Sequence, residues 1–287
     1  MTDIISMLEI PLIQNMFLAT ALACVLCGVI GTYVVVNRMV AVTGGIAHTT
    51  FGGVGFAYFA MSVLAVSWMT PMAGALLFGI AAAVIMAVCR RNGELREDTV
   101  IGALWAAGMA AGVVFMCYTD RSVIVPSSYE SILFGNMLLI DSGKLAAMAV
   151  ITAAVLAVTA FFFRDLRIMT FDANFARISG INVTVLDLIL HILIAVTCVM
   201  VANVVGIVMI MALMTIPAAM GNMFSHGMKG TMALGTVYAL FLSVAGLFLS
   251  LYMDTPPGAT VVLVIAAAFI VAVLAKRLAS RAVKNGD

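Results

Sequence analysis

The sequence predicts an all-α, polytopic membrane protein, and three observations carry that prediction. Apolar residues make up 64% of 287 and charged residues 9%, with a mean hydropathy of +1.21; a soluble domain needs far more surface charge. The apolar residues fall into runs of about twenty, the length a helix needs to cross a bilayer. The basic residues, finally, alternate between the loops in a way that leaves nearly all of them on one side.

Candidate spans are 12–36, 45–67, 71–89, 99–118, 143–163, 183–204, 205–222, 231–252 and 259–275, so eight or nine transmembrane helices form one domain over residues 1–287. The apolar piece 131–140 is too short to cross and reads as re-entrant. The seventh span is short and carries Pro217, so a kink or break is expected there. MTDIISMLEIP, at the N-terminus, has no basic residue before its apolar run and does not resemble a cleaved secretory signal.

With the N-terminus outside and the C-terminus inside, twelve of the fourteen Lys and Arg residues are cytoplasmic, leaving only Arg121 and Lys144 outside. That is a strong positive-inside signal. Trp68, Tyr118 and Tyr252 then fall near the outer boundary, where amphipathic rings are favoured. The basic tail KRLASRAVKNGD is suited to lipid headgroups.

The stretch the chain is organised around is Asn37 to Gly55, NRMVAVTGGIAHTTFGGVG. On a helix Gly44, His48, Gly52 and Gly55 share one face, so His48 stands in a shallow trench. An ionisable group beside an open face inside a membrane points to a transport pathway. The same face also fits a tight small-xxx-small helix crossing, with His48 satisfied by a neighbouring carbonyl.

Among the loops, RRNGELRED (90–98) is a solvated cytoplasmic turn and DTPPG (254–258) a rigid outer one. Residues 164–181 are more informative. Phe171, Phe175 and Ile178 recur at helical spacing while Asp172, Asn174 and Arg177 are polar. Asp172 is placed to cap the start, and Gly180 the end, of a helix of about two turns. Such a helix either lies at the membrane interface or inserts into a groove on a cytoplasmic partner.

Several chemistries are excluded. There is no GxxxxGK[ST] phosphate loop, so any ATP-driven step needs a separate subunit. No Ser/His/Asp, HExxH or paired-carboxylate arrangement occurs, and three histidines are too few for a self-contained metalloenzyme. A net charge of +1 gives no attraction to nucleic acid. Cys24 and Cys27 form a CxxC that either binds a soft metal or simply packs, and no second pair completes a tetrahedral site. Asp187 and His191 share a face of the sixth span, as a proton relay, a metal pair or an ion pair. His226 lies in a short polar turn, and the Met209, Met211 and Met214 run reads as adaptable packing.

Six segments then converge. GGIAHTTFGG (44–53), DTVIGALWA (98–106), ILFGNMLLI (132–140), DANFARISGI (172–181), VGIVMIMALMTIPAAM (205–220) and DTPPGATVVL (254–263) occur in the order of six motifs of one family. The chain resembles the integral membrane permeases of bacterial ABC importers for zinc, manganese and iron. The resemblance implies a dimeric permease made with a second copy or a paralogue, and a pair of cytoplasmic ATPase subunits that hold ATP and Mg. It further implies an extracytoplasmic metal-binding protein that delivers the transported metal ion.

In that picture the coupling helix is about 172–180, with Asp172, Phe175, Ala176, Arg177 and Gly180 meeting the ATPase. His48 lines the pathway with Thr49, while Gly44, Gly45, Gly52 and Gly53 allow close helix approach. His48, Asp187 and His191 are the candidate metal ligands; Asn203, Thr215 and Asn136 are further polar contributors. Two departures from the family pattern stand out: Gly44 replaces the usual Asp four residues before the histidine, and Ala106 stands where zinc-type members often carry a second histidine. An importer of a chelated metal or cofactor, a proton-coupled secondary transporter using Asp187 and His191, and a scaffold without transport remain the rival readings.

Overall fold

The computed structural model describes residues 10–92, 96–120, 122, 135, 140 and 142–284. Among them are nine long helices and two short ones. These are α1 (Pro11–Val36), α2 (Val40–Ser62), α3 (Pro71–Asn92), α4 (Glu97–Tyr118), α5 (Ser142–Phe161), α6 (Phe163–Phe171), α7 (Ala173–Ile178), α8 (Val183–Val205), α9 (Ile207–Phe224), α10 (Met228–Met253) and α11 (Pro257–Lys284). Eight are long and apolar enough to cross a membrane. The remaining long helix is α2, whose glycines, threonines and His48 dilute its apolarity.

The helices form two groups joined by α8. In one, α2 packs between α3 and α4; in the other, α1 packs with α9 and α10, and α11 closes the outside against α10 and α9. α8 lies against both α3 and α1. Lipid has no hydrophobic drive to press helices together, so close backbone approach matters. Gly52 and Gly55 of α2 lie on Gly108 and Gly112 of α4: a Cβ added at Gly52 would sit 2.6 Å from the Gly108 carbonyl oxygen. Gly53 meets Gly74 of α3 in the same way on the opposite side.

Two expectations are corrected. The second span begins at Val40 and ends at Ser62 rather than covering 45–67. Hydropathy carries the apolar run through Val63 and Leu64, but the helix ends at Ser62 and Ala65 turns the chain with φ 53. Pro217 does not break α9, which runs from Ile207 to Phe224 with the proline inside it. The short helix expected between Asp172 and Gly180 is present as α7, and the extended Asp172 (φ −150, ψ 93) sets it apart from α6. The re-entrant reading of 131–140 falls almost wholly outside the described residues.

Polar contacts sort by side, as the alternation of spans requires. Arg90 at the end of α3 meets Asp187 near the start of α8 at 3.5 Å, and Lys276 of α11 donates to the Met223 carbonyl of α9 at 2.8 Å. All four residues belong to ends predicted to be cytoplasmic. On the other side the Asp120 amide donates to Ser62 and Asn15 to the Ile140 carbonyl. Trp68, Tyr118 and Tyr252 are 74%, 70% and 82% exposed at the outer ends.

The glycine seam is directly testable. Gly108→Leu drives a side chain into the Thr49 backbone and is expected to cost about 1–3 kcal/mol, read as a lower thermal midpoint in detergent. Gly102→Leu on the same helix, where nothing lies within 4 Å, leaves the midpoint unchanged.

Candidate functional site

The sequence leaves His48 in an open trench; the structure fills it. The indole of Trp105, on α4, stacks on the His48 ring with centroids 4.2 Å apart and planes 16° from parallel. A Cβ on Gly44 would lie 2.9 Å from both Trp105 Cζ3 and Met211 Cε, so a side chain from α4 and one from α9 occupy the space above that glycine. Gly45 lies against Met86 of α3 and Ile101 of α4, and Gly52 against Gly108. The Thr49 hydroxyl is shared between the Gly45 and Leu104 carbonyls at 2.7 and 3.1 Å, which ties α2 to α4 one residue from the stack on each helix.

Trp105 is the residue that sequence reasoning missed. Attention fell on Ala106, which is exposed, whereas the half-buried Trp105 beside it faces His48. A signal was available: Trp105, Gly108 and Gly112 recur at three and four residues on one face. A tryptophan well inside a span is also displaced from its favoured interfacial depth. With Trp105 over one face, Nδ1 of His48 is buried and has no hydrogen-bond partner.

Asp187 and His191 form a separate cluster. The His191 ring is fully buried, with Nδ1 2.8 Å from the Asp187 carbonyl oxygen and 3.5 Å from its carboxylate. Arg90 of α3 meets the same carboxylate at 3.5 Å, near the start of α8. His191 Nε2 has no partner. Among the described residues no group of three or more His, Cys, Asp or Glu side chains is placed to hold a metal, so His48, Asp187 and His191 do not combine into one ligand set. Thr215 donates to the Met211 carbonyl within its own helix at 2.6 Å. Asn136 and the Asn203 side chain lie outside the described residues. Cys24 and Cys27 are buried, with Cys24 Sγ 3.4 Å from the Ser243 hydroxyl, and His226 is exposed.

On the side predicted to be cytoplasmic, α7 forms as its ends dictate. The Asp172 carboxylate accepts from the Asn174 and Phe175 amides at 3.0 and 2.8 Å, an N-cap. At the other end Ile181 N donates to Ala176 O and Gly180 N to Arg177 O, a Schellman closure that places Gly180 at φ 79. Ala176 is fully buried, while Phe171, Phe175 and Ile178 are 67%, 56% and 87% exposed. Burying each would release about 1.5–3 kcal/mol. This is an anchored helix with an uncovered apolar face.

The model of one family, described as the ABC 3 transport family, matches residues 9–276. An uncharacterised membrane protein of Synechocystis sp. is 32% identical over 270 residues, covering 94% of this chain and 92% of its own. The manganese transport system membrane protein MntC of Halalkalibacterium halodurans is 27% identical, covering 93% and 88%. Among solved structures, PsaBC from Streptococcus pneumoniae in complex with Fab superposes with a TM-score of 0.80 at 24% identity, over 93% of this chain and 92% of that one; this likeness is one of fold. The chain belongs to the ABC 3 transport family, as an integral membrane permease and a transport subunit rather than an enzyme.

Proposed function

We propose that this chain is the membrane half of an ATP-driven importer that carries a transition metal ion across the bacterial inner membrane by alternating access. The observation that carries the reading is α7: a capped helix on the cytoplasmic side, held by Ala176, with Phe175 and Ile178 facing away from the body. An exposed apolar pair on a short rigid helix fits a groove on another protein. The chain holds no phosphate loop, so that protein is the ATPase, which binds ATP and Mg. A second permease, identical or paralogous, and an extracytoplasmic metal-binding protein complete the assembly.

The pathway lies at His48. A d-block ion wants about four donors, and this chain offers one imidazole between α2, α4 and α9. A second copy or paralogue would add its own donors. Manganese is the first ion to test, because relatives are named as manganese transport membrane proteins; zinc and iron follow. The proton-coupled alternative is weakened by Arg90, which already pairs the carboxylate it needs.

Two outcomes check this. Phe175→Ala combined with Ile178→Glu is expected to weaken ATPase co-purification by at least about tenfold, as truncation of buried interface anchors does, without lowering the permease's thermal midpoint. Undiminished ATPase recovery would sink the docking assignment. His48→Ala is expected to cut manganese(II) uptake into proteoliposomes on the order of tenfold or more while leaving ATPase assembly intact.

A further inference from the structure

If α7 is where the ATPase docks, the structure also shows how its motion reaches His48. α7 itself grips the body lightly, through Ala176, and Asp172 separates it from α6 with an extended residue. α6 is seated firmly, with Leu166 fully buried and Met169 8% exposed. Its penultimate residue, Thr170, accepts a hydrogen bond at Oγ1 from Asn37 Nδ2 at 3.2 Å, across 133 residues of sequence. Asn37 belongs to the three-residue turn Asn37–Arg38–Met39 that joins α1 to α2.

That turn is built to transmit rather than absorb. Met39 N donates to Val34 O at 2.8 Å and Arg38 N to Val35 O at 3.2 Å, the two bonds of a Schellman closure. The left-handed position, however, is held by an arginine, at φ 59, rather than a glycine. A side chain there is strained, so the conformation persists because its surroundings hold it. The Asn37 amide adds to the hold by also donating to the Tyr33 carbonyl at 2.9 Å. Met39, buried to 1%, caps the start of α2, and His48 follows on the same unbroken helix.

We propose that Asn37 and Thr170 are coupling residues: their hydrogen bond carries displacement of the ATPase-docking helix into α2, and so into the His48–Trp105 stack. This rests on the docking reading above. Both residues are positioning residues, remote from the stack itself.

The stack supplies the reporter. The chain has two tryptophans, so Trp68→Phe leaves Trp105 alone. Full-length permease labelled with 5-fluorotryptophan is assembled in lipid nanodiscs with its unlabelled ATPase, and the 19F resonance is followed with and without ATP and Mg. In the parent complex nucleotide is expected to shift the Trp105 resonance. Thr170→Val and Asn37→Ala should retain ATPase binding and hydrolysis but reduce the nucleotide-driven population about fivefold, the equivalent of one net hydrogen bond. Thr170→Ser, which keeps the hydroxyl, should restore it.

Unchanged shifts in both Thr170→Val and Asn37→Ala overturn the proposal, as does a parent complex that binds nucleotide without moving Trp105. A parent permease that never binds the ATPase overturns the docking reading instead, so the two failures are told apart. Asn37→Ala also strips a cap from α1; Thr170→Val leaves that cap in place and decides the matter if the former is poorly folded.

Discussion

The contact on which the rest depends is between two backbones. At Gly52–Gly108 and Gly55–Gly112, α2 and α4 approach until no Cβ fits between them. In lipid, association comes from packing and from polar bonds rather than from water expulsion, and this seam supplies both, since Thr49 reaches the Leu104 carbonyl alongside it. The seam fixes rotation as well as distance. With the glycines facing each other, Trp105 can only fall across the His48 ring, and Met211 fills the space above Gly44 from α9. The trench and the tight crossing, which read as alternatives in the sequence, are one surface: part of it is crossing, and the remainder holds the stack.

What was legible in the sequence was whatever depended on local chemistry or on a one-dimensional sum. The set of long apolar helices was legible from apolar run length. The ends of α7 were legible because a carboxylate cap and a left-handed glycine act within a few residues of themselves, as Asp172 and Gly180 do. Trp105 went unread for the opposite reason. Which face of α4 meets α2 depends on the rotation of both helices, and neither contributes a strong amphipathic pattern in a chain that is apolar all round. The misplaced end of α2 has a similar origin, since hydropathy cannot see that Ala65 adopts a left-handed turn. The pairing of Asn37 with Thr170 lies beyond any local pattern.

The rim that the arginine and lysine placement assigns to the cytoplasm is where charged and polar side chains are put to structural use. Arg90 reaches Asp187, Lys229 lies 5.5 Å from the centroid of the Phe163 ring, and Lys276 caps the end of α9 at the Met223 carbonyl. Each is a residue the positive-inside rule would explain by orientation alone. Each also ties two elements together at the level where a motor subunit would pull.

One junction has mechanical consequences of its own. α8 and α9 are separated by Gly206 alone, at φ 88 and ψ 159, a conformation essentially reserved for glycine. A corner of one residue has no slack. α8, about 34 Å long at the usual rise per residue, runs from the Arg90 contact near its start to this corner at its end. The direction in which α9 leaves α8 is therefore set by the dihedrals of a single residue.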